Sequence, residues 1–232
     1  MEGGYLQYLQ QGLEWVLTFF YQLTGNWGLA IVFLTVLFRI VLYPLYLSQM
    51  RSLAASKRLQ PHLEELQKKY KDNPEELNRR MMQLYQENKV NPFGGCLPAL
   101  LQLPIIWILF SVLRNFEFEG GFLWIPNLKN PDPFYILPIL AAVFTYGQSK
   151  MMNTGTETSG SANSMNQVLT WFSPILIGSV SIRFPSGVVI YWTVNSILAM
   201  IQQHFVQKQL DAEEKERGAA GNEGDGKKRQ NS

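Results

Sequence analysis

The sequence predicts an all-α membrane protein: five transmembrane helices around a hydrophilic groove open to the cytoplasm, an N-terminal interfacial helix and a cytoplasmic helical hairpin. Three observations carry that prediction. First, five apolar stretches, at 27–47, 93–113, 134–149, 168–182 and 188–201, alternate with polar blocks; a spanning helix needs about 20 apolar residues, somewhat fewer where the bilayer thins. Second, basic residues are lopsided: the 48–91 block holds nine and the chain after Ile201 six, whereas 1–26 holds none and 114–133 two. Cytoplasmic loops collect Lys and Arg, so the N-terminus lies outside, and the 48–91 block, the 151–167 loop and the tail lie inside. Arg183, at the outer end of the fourth stretch, is the one discordant charge. Third, Arg39 is the single charge in the first stretch. At membrane depth it costs at least about 2.5–3.5 kcal/mol, and such residues usually face a bundle interior or a wet cavity.

Composition excludes much else. Of 232 residues, 47% are hydrophobic and 16% charged, so the mean hydropathy of −0.05 averages very apolar blocks with very polar ones. The spans exclude a soluble enzyme. Cys96 is the only cysteine and there are two histidines, so neither an internal disulfide nor a metal-ligand cluster is expected. No phosphate loop is present, and no cofactor is expected. No Ser/His or paired-Asp arrangement supports intramembrane proteolysis. The apolar stretches hold no carboxylate to couple an ion and no internal repeat, which argues against a transporter. Residues 1–26 lack the basic start and apolar core of a cleavable signal, and no lipid-attachment cysteine precedes the first span, so that span is expected to direct its own insertion.

The elements follow in order. Residues 1–26 place Leu6, Leu9, Leu13, Leu17 and Phe20 at helical spacing, with Gln7, Gln10, Gln11 and Glu14 opposite. That pattern suits a helix lying in the outer interface. The first span is 27–47. The 48–91 block reads as two antiparallel helices, one with Leu59, Leu63, Leu66 and Tyr70 on a stripe, the other with Leu77, Met81, Leu84 and Tyr85. Between them Asn73 suits an N-cap, Pro74 a first turn, and Glu76 a capping box. The hairpin's Arg51, Lys57, Arg58, Lys68, Lys69, Arg79 and Arg80 are candidate partner contacts, for lipid head groups or ribosomal RNA, set against a plain solvated face. The second span, 92–115, opens with two prolines and two glycines that loosen it. The outer loop 116–133 contains the aromatic run Phe122-Leu-Trp-Ile-Pro126. The third span is 134–150, and the polar, glycine-rich 151–167 loop is expected to be mobile. The fourth and fifth spans, 168–183 and 188–205, meet at the outer turn 184–187. Their apolar cores of 15 and 14 residues cover roughly 21–23 Å against about 30 Å of hydrocarbon. The tail, 206–232, reads as disordered.

Polar side chains within the spans are few. Arg39, Gln102, Thr145, Gln148 and Asn195, with Trp192 beside them, form the candidate groove, mostly in the cytoplasmic half. Each amide has an alternative reading as interhelical hydrogen-bond glue, and Arg39 could snorkel toward the interface. Taken together with a guanidinium lacking a sequence-evident counter-ion, a shared wet cavity explains them better.

The residues also resemble a known family, the YidC membrane protein insertases and their Oxa and Alb relatives. The matching segments are Arg39 with Pro44; Leu59-Gln60-Pro61 through Tyr70-Lys71; Asn91-Pro-Phe-Gly-Gly-Cys96-Leu-Pro98 running to Gln102-Leu-Pro104; Phe122-Leu-Trp124-Ile-Pro-Asn-Leu128; Asp132-Pro-Phe-Tyr-Ile-Leu-Pro138; and Phe184-Pro-Ser-Gly187 running to Tyr191-Trp192-Thr-Val-Asn195. The resemblance implies nucleotide-independent insertion and folding of nascent membrane proteins through a groove bearing Arg39, in a bacterial plasma membrane. It leaves a ribosome and a Sec-type channel as candidate partners, a monomer as the working unit, and an accessory role in a Sec-type complex as the alternative. The chain is similar to the short form of the family, without that form's common lipoprotein cysteine.

Overall fold

Pro44 shapes the first span. Its missing N–H cannot bond to the carbonyl four residues back, and its ring crowds that carbonyl. The helix therefore breaks at Leu42, and its two halves, α2 (Trp27–Val41) and α3 (Tyr43–Arg58), are turned by 60°. The stretch predicted as the first span, 27–47, is thus a bent pair rather than one continuous helix. The computed structural model describes residues 2–88, 90, 106–112, 120–153 and 161–230. Among these the remaining helices are α1 (Glu2–Thr24), α4 (Gln60–Lys69), α5 (Pro74–Glu87), α6 (106–112), α7 (Ile136–Asn153), α8 (Ser161–Ser181) and α9 (Ser186–Gln230). No single described helix is long and apolar enough to cross a membrane; the bent pair Trp27–Val41 plus Tyr43–Ser56 passes that test together.

Helix α9 is the hub. It packs against α2 on one side and α7 on the other, α8 packs outside α7, and α1 lies against α2. The core joins Leu17 of α1, Ala30, Ile31 and Leu34 of α2, Leu109 and Val112 of α6, Ala141 of α7, and Val188 to Tyr191 of α9. Small residues permit close approach, as between membrane helices. A Cβ on Gly178 would lie 3.1 Å from the Ala142 methyl, and one on Gly147 would lie 3.0 Å from the Met200 methyl.

Helix α1 is amphipathic, but it does not stand apart from the bundle. Tyr21 stacks on Trp27, Phe20 on Phe33, and Gly12 and Val16 line a 440 Å³ apolar cavity with Phe38 and Ile108. Earlier positions in α1 meet later positions in α2, so the two are antiparallel neighbours. The sequence predicts α1 as a helix lying in the outer interface; in the structure, burial of Leu13 and Leu17 in the shared core holds it along α2, while Leu9 of the predicted stripe is exposed.

The hairpin forms as α4 and α5, with Leu59 and Leu63 buried. Asn73 caps α5 by accepting from the Glu76 N–H at 3.2 Å. The capping box is only half made. The Asn73 N–H donates to the Tyr70 carbonyl, and the Glu76 carboxylate is taken by Arg79 at 2.8 Å and Arg80 at 2.9 Å.

Two expectations for the later helices change. Helix covers 150–153 and 161–167, so the predicted 151–167 loop shrinks to at most the stretch between them. The tail predicted as disordered from 206 continues α9 to Gln230. Val206 and Leu210 explain its first turns: they bury against Met50 of α3, and Arg51 pairs with Glu213 at 2.9 Å. Isolated apolar residues in a polar tail become helix-formers once a partner face exists.

The 120–135 loop packs at the N-terminal ends of α2 and α9. Ser186 and Gly187, at the start of α9, donate their N–H groups to Asn130 and Leu128 carbonyls at 2.9 and 3.0 Å. Asn26 donates to the Gly121 carbonyl at 3.1 Å. The Phe122 ring lies directly on Gly28, where any Cβ would collide with it. Gly28→Ala should therefore displace the ring and lower stability by about 1–3 kcal/mol, read as a fall in unfolding temperature in detergent; an unchanged midpoint would refute the contact.

Candidate functional site

Arg39 sits in the last turn of α2, just before the bend, and faces α9. Its Nε donates to the Asn195 side-chain oxygen at 2.9 Å and its Nη2 to the Asn195 carbonyl at 2.7 Å. Its Nη1 donates to the Gln202 side-chain oxygen at 3.0 Å. The Tyr46 ring, on α3 beyond the bend, lies 5.9 Å from the guanidinium carbon, within cation–π range. These partners are neutral, and no acidic oxygen among the described residues pairs with Arg39. The side chain is half-buried. The guanidinium is not loose: a neutral cradle holds it.

The rest of the predicted constellation divides. Thr145 of α7, buried, accepts from the Trp192 indole N–H at 3.2 Å. Trp192 and Asn195 are three residues apart on α9 and so share a face, which joins the Thr145 pair to the Arg39 pair. Gln148 is half-buried, one turn further along α7. Thr193, also polar and in the span, turns its hydroxyl to the Val189 carbonyl of its own helix at 2.8 Å. Gln102 and Cys96 lie outside the described residues. Three elements thus converge on one polar strip: α2 brings the charge, α9 the amides and indole, α7 the hydroxyl and Gln148.

Gln202 was missed. The fifth apolar stretch ends at Ile201, and Gln202, in the polar end of the 188–205 span, is not among the candidate groove residues. Asn195 and Gln202 are seven residues apart, two turns on one face, and extending the helix past Ile201 would have exposed that pairing.

The hairpin cations are partly occupied internally. Arg51 pairs with Glu213, Arg79 and Arg80 with Glu76, and Lys69 lies 5.5 Å from the Tyr70 ring. The Arg79 hydrogen bond, backed by Arg80, holds the Glu76 carboxyl below its ordinary value. Arg58 is in contact with other groups of the protein, Lys68 is exposed, and the Lys57 side chain lies outside the described residues. Arg183 is exposed at the C-terminal end of α8, where the helix dipole favours a cation.

Apolar side chains are exposed in contiguous bands. On α8 they run through Trp171, Phe172, Ile175, Leu176 and Val180, with Ile182 just past its end, and on α7 through Ile136, Ile139 and Val143. Patches of this extent mark membrane or partner surfaces.

The 60Kd inner membrane protein family matches residues 19–214. The chain is 42% identical over 202 residues to the membrane protein insertase YidC of Fusobacterium nucleatum, covering 86% of this chain and 95% of the relative. It is 44% identical over 204 residues to that of Caldanaerobacter subterraneus, covering 87% and 93%. The Helicobacter pylori insertase is longer: identity is 40% over 91% of this chain but only 38% of the relative. The fold is similar to a crystal structure of an active YidC insertase with its first transmembrane domain resolved, with a TM-score of 0.65 and 31% identity over 83% of this chain and 45% of that one.

Proposed function

The chain belongs to the 60Kd inner membrane protein family, and from that premise we propose that it is a membrane protein insertase working through a water-filled groove whose charge is Arg39. Five spans would surround the groove, N-terminus outside, with α4 and α5 in the cytoplasm. The observation that carries this reading is the guanidinium itself, half-buried and, among the described residues, surrounded by neutral oxygens and a ring. A charge at this depth is retained where it has work to do.

The mechanism follows from solvation. A polar tail crossing bare lipid leaves backbone groups unsatisfied at several kcal/mol each. The strip of Gln148, Thr145, Trp192, Asn195 and Arg39 lets such groups keep water or protein partners partway across. Arg39 attracts acidic residues of the outward-moving segment: a charge pair at about 4 Å gains roughly 4 kcal/mol at an effective dielectric near 20, before desolvation. The short fourth and fifth apolar stretches, 15 and 14 residues or roughly 21–23 Å of helix, support local thinning. The apolar part of the substrate then leaves over the outer faces of α7 and α9. No nucleotide enters this scheme. The hairpin and the cytoplasmic end of α9 are the surfaces a ribosome or a channel partner would meet, and one copy of the chain suffices.

Water access tests it. With Cys96 replaced, Leu37→Cys, Gln102→Cys and Asn195→Cys should each react with a membrane-impermeant maleimide from the cytoplasmic side. Protection at all three positions in intact vesicles would refute the groove.

A further inference from the structure

We propose that Gln202 is a positioning residue: a neutral clamp that orients the Arg39 guanidinium without discharging it, and so sets the preference for acidic residues in the translocated segment. This deepens the reading above and rests on it. Gln202 makes two bonds to the same residue. Its side-chain oxygen accepts from Arg39 Nη1 at 3.0 Å, and its amide nitrogen donates to the Arg39 backbone carbonyl at 3.3 Å.

The second bond arises from the bend. The N–H four residues after Arg39 belongs to Tyr43, which starts α3 beyond the 60° turn. Carbonyls in the last turn of a helix need partners from elsewhere, and Gln202 supplies this one. It therefore ties the backbone at the bend and the charge at the tip of the same side chain to one position on α9.

A guanidinium has five N–H donors. Asn195 and Gln202 occupy three, one each on Nε, Nη1 and Nη2. Among the described residues, one N–H on each terminal nitrogen is left without an acceptor. Two donors on adjacent nitrogens are what a carboxylate takes in a bidentate pair. The clamp thus fills the positions that would let the side chain swing and leaves two donors for an aspartate or glutamate side chain. Because every clamp atom is neutral, the full charge stays available. A glutamate at this position would have the same length and would supply the missing counter-ion from within.

The test is reconstitution of the full chain in liposomes with matched single-span substrates whose N-terminal tails carry either two aspartates or two asparagines. Wild type, Arg39→Ala, Gln202→Glu and Gln202→Met are compared for insertion and for unfolding temperature. Gln202→Glu should keep the unfolding temperature of wild type or raise it, yet cut insertion of the acidic-tail substrate about tenfold while sparing the neutral one. Gln202→Met should cut the acidic-tail substrate about threefold. Equal loss for both substrates would make Gln202 a structural tie only, and undiminished acidic-tail insertion in Gln202→Glu would overturn the clamp. Arg39→Ala separates the two levels. If it inserts acidic tails as wild type does, the charge reading itself fails and the clamp with it; if it loses them while both Gln202 variants do not, only the clamp fails.

Discussion

Arg39→Ala should lower insertion of substrates with acidic outward-moving tails by at least tenfold, and Arg39→Lys should recover only part of it. The expected size follows from the competing terms. A charge pair in the groove gains roughly 4 kcal/mol, desolvation of both partners takes back much of it, and a residue of about 1.4 kcal/mol is a factor of ten in rate. Lysine keeps the charge but not the planar fork. It cannot bond Asn195 at two points and Gln202 at a third as the guanidinium does, so the ammonium is less well placed. Three bonds to α9 are lost in the alanine variant as well, so unfolding temperature must be measured alongside. A variant that accumulates and melts as wild type does but inserts normally across several acidic-tail substrates would exclude the attraction mechanism.

Asp132→Ala should be the most damaging change outside the strip. This carboxylate is 3% exposed, yet it has no cation to pair with in its hydrogen-bond set. Three N–H groups satisfy it: the Trp124 indole at 3.0 Å, the Phe134 backbone at 3.1 Å and the Leu137 backbone at 2.7 Å. Leu137 lies in the first turn of α7, so Asp132 caps that turn from the preceding loop and benefits from the positive end of the helix dipole. The Trp124 and Phe134 bonds fix the 120–135 loop. Tyr135, between cap and helix, is held at φ 58°, an uncommon conformation for a non-glycine residue, and the two backbone bonds flank it. Removing the carboxylate leaves buried donors without acceptors and loses the cap, about 2–4 kcal/mol together. Asp132→Asn keeps one acceptor oxygen and should lose about half as much. Thermal unfolding in detergent would show both, and an alanine variant melting within about one degree of wild type would contradict the assignment.

The short-range parts of the architecture were readable from residue type and spacing. Asn73 and Pro74 announce the start of α5, and the structure has them there. The isolated charge in the first apolar stretch singled out α2, and the structure joins it to α9. Asn195 and Trp192 were visible as polar interruptions of the last one. Two features were also legible but under-read. Pro44 implies the 60° bend by removing one N–H, and the seven-residue spacing of Asn195 and Gln202 implies a shared face once the helix is extended.

What spacing could not give was partnership. Whether α1 lies apart from α2 or doubles back along it depends on Leu13 and Leu17 finding a core that α2, α6 and α9 build together. The helix through Val206 and Leu210 exists against Met50, roughly 150 residues earlier in the chain. Amphipathic pattern states that a face must be covered, not by what. The same limit applies at the site. The sequence by itself determined that Arg39 lacks a charged partner in the spans, because composition alone excludes one. Only the tertiary structure decided that neutral oxygens from α9 hold it, because hydrogen bonds across such separations are set by which helices pack.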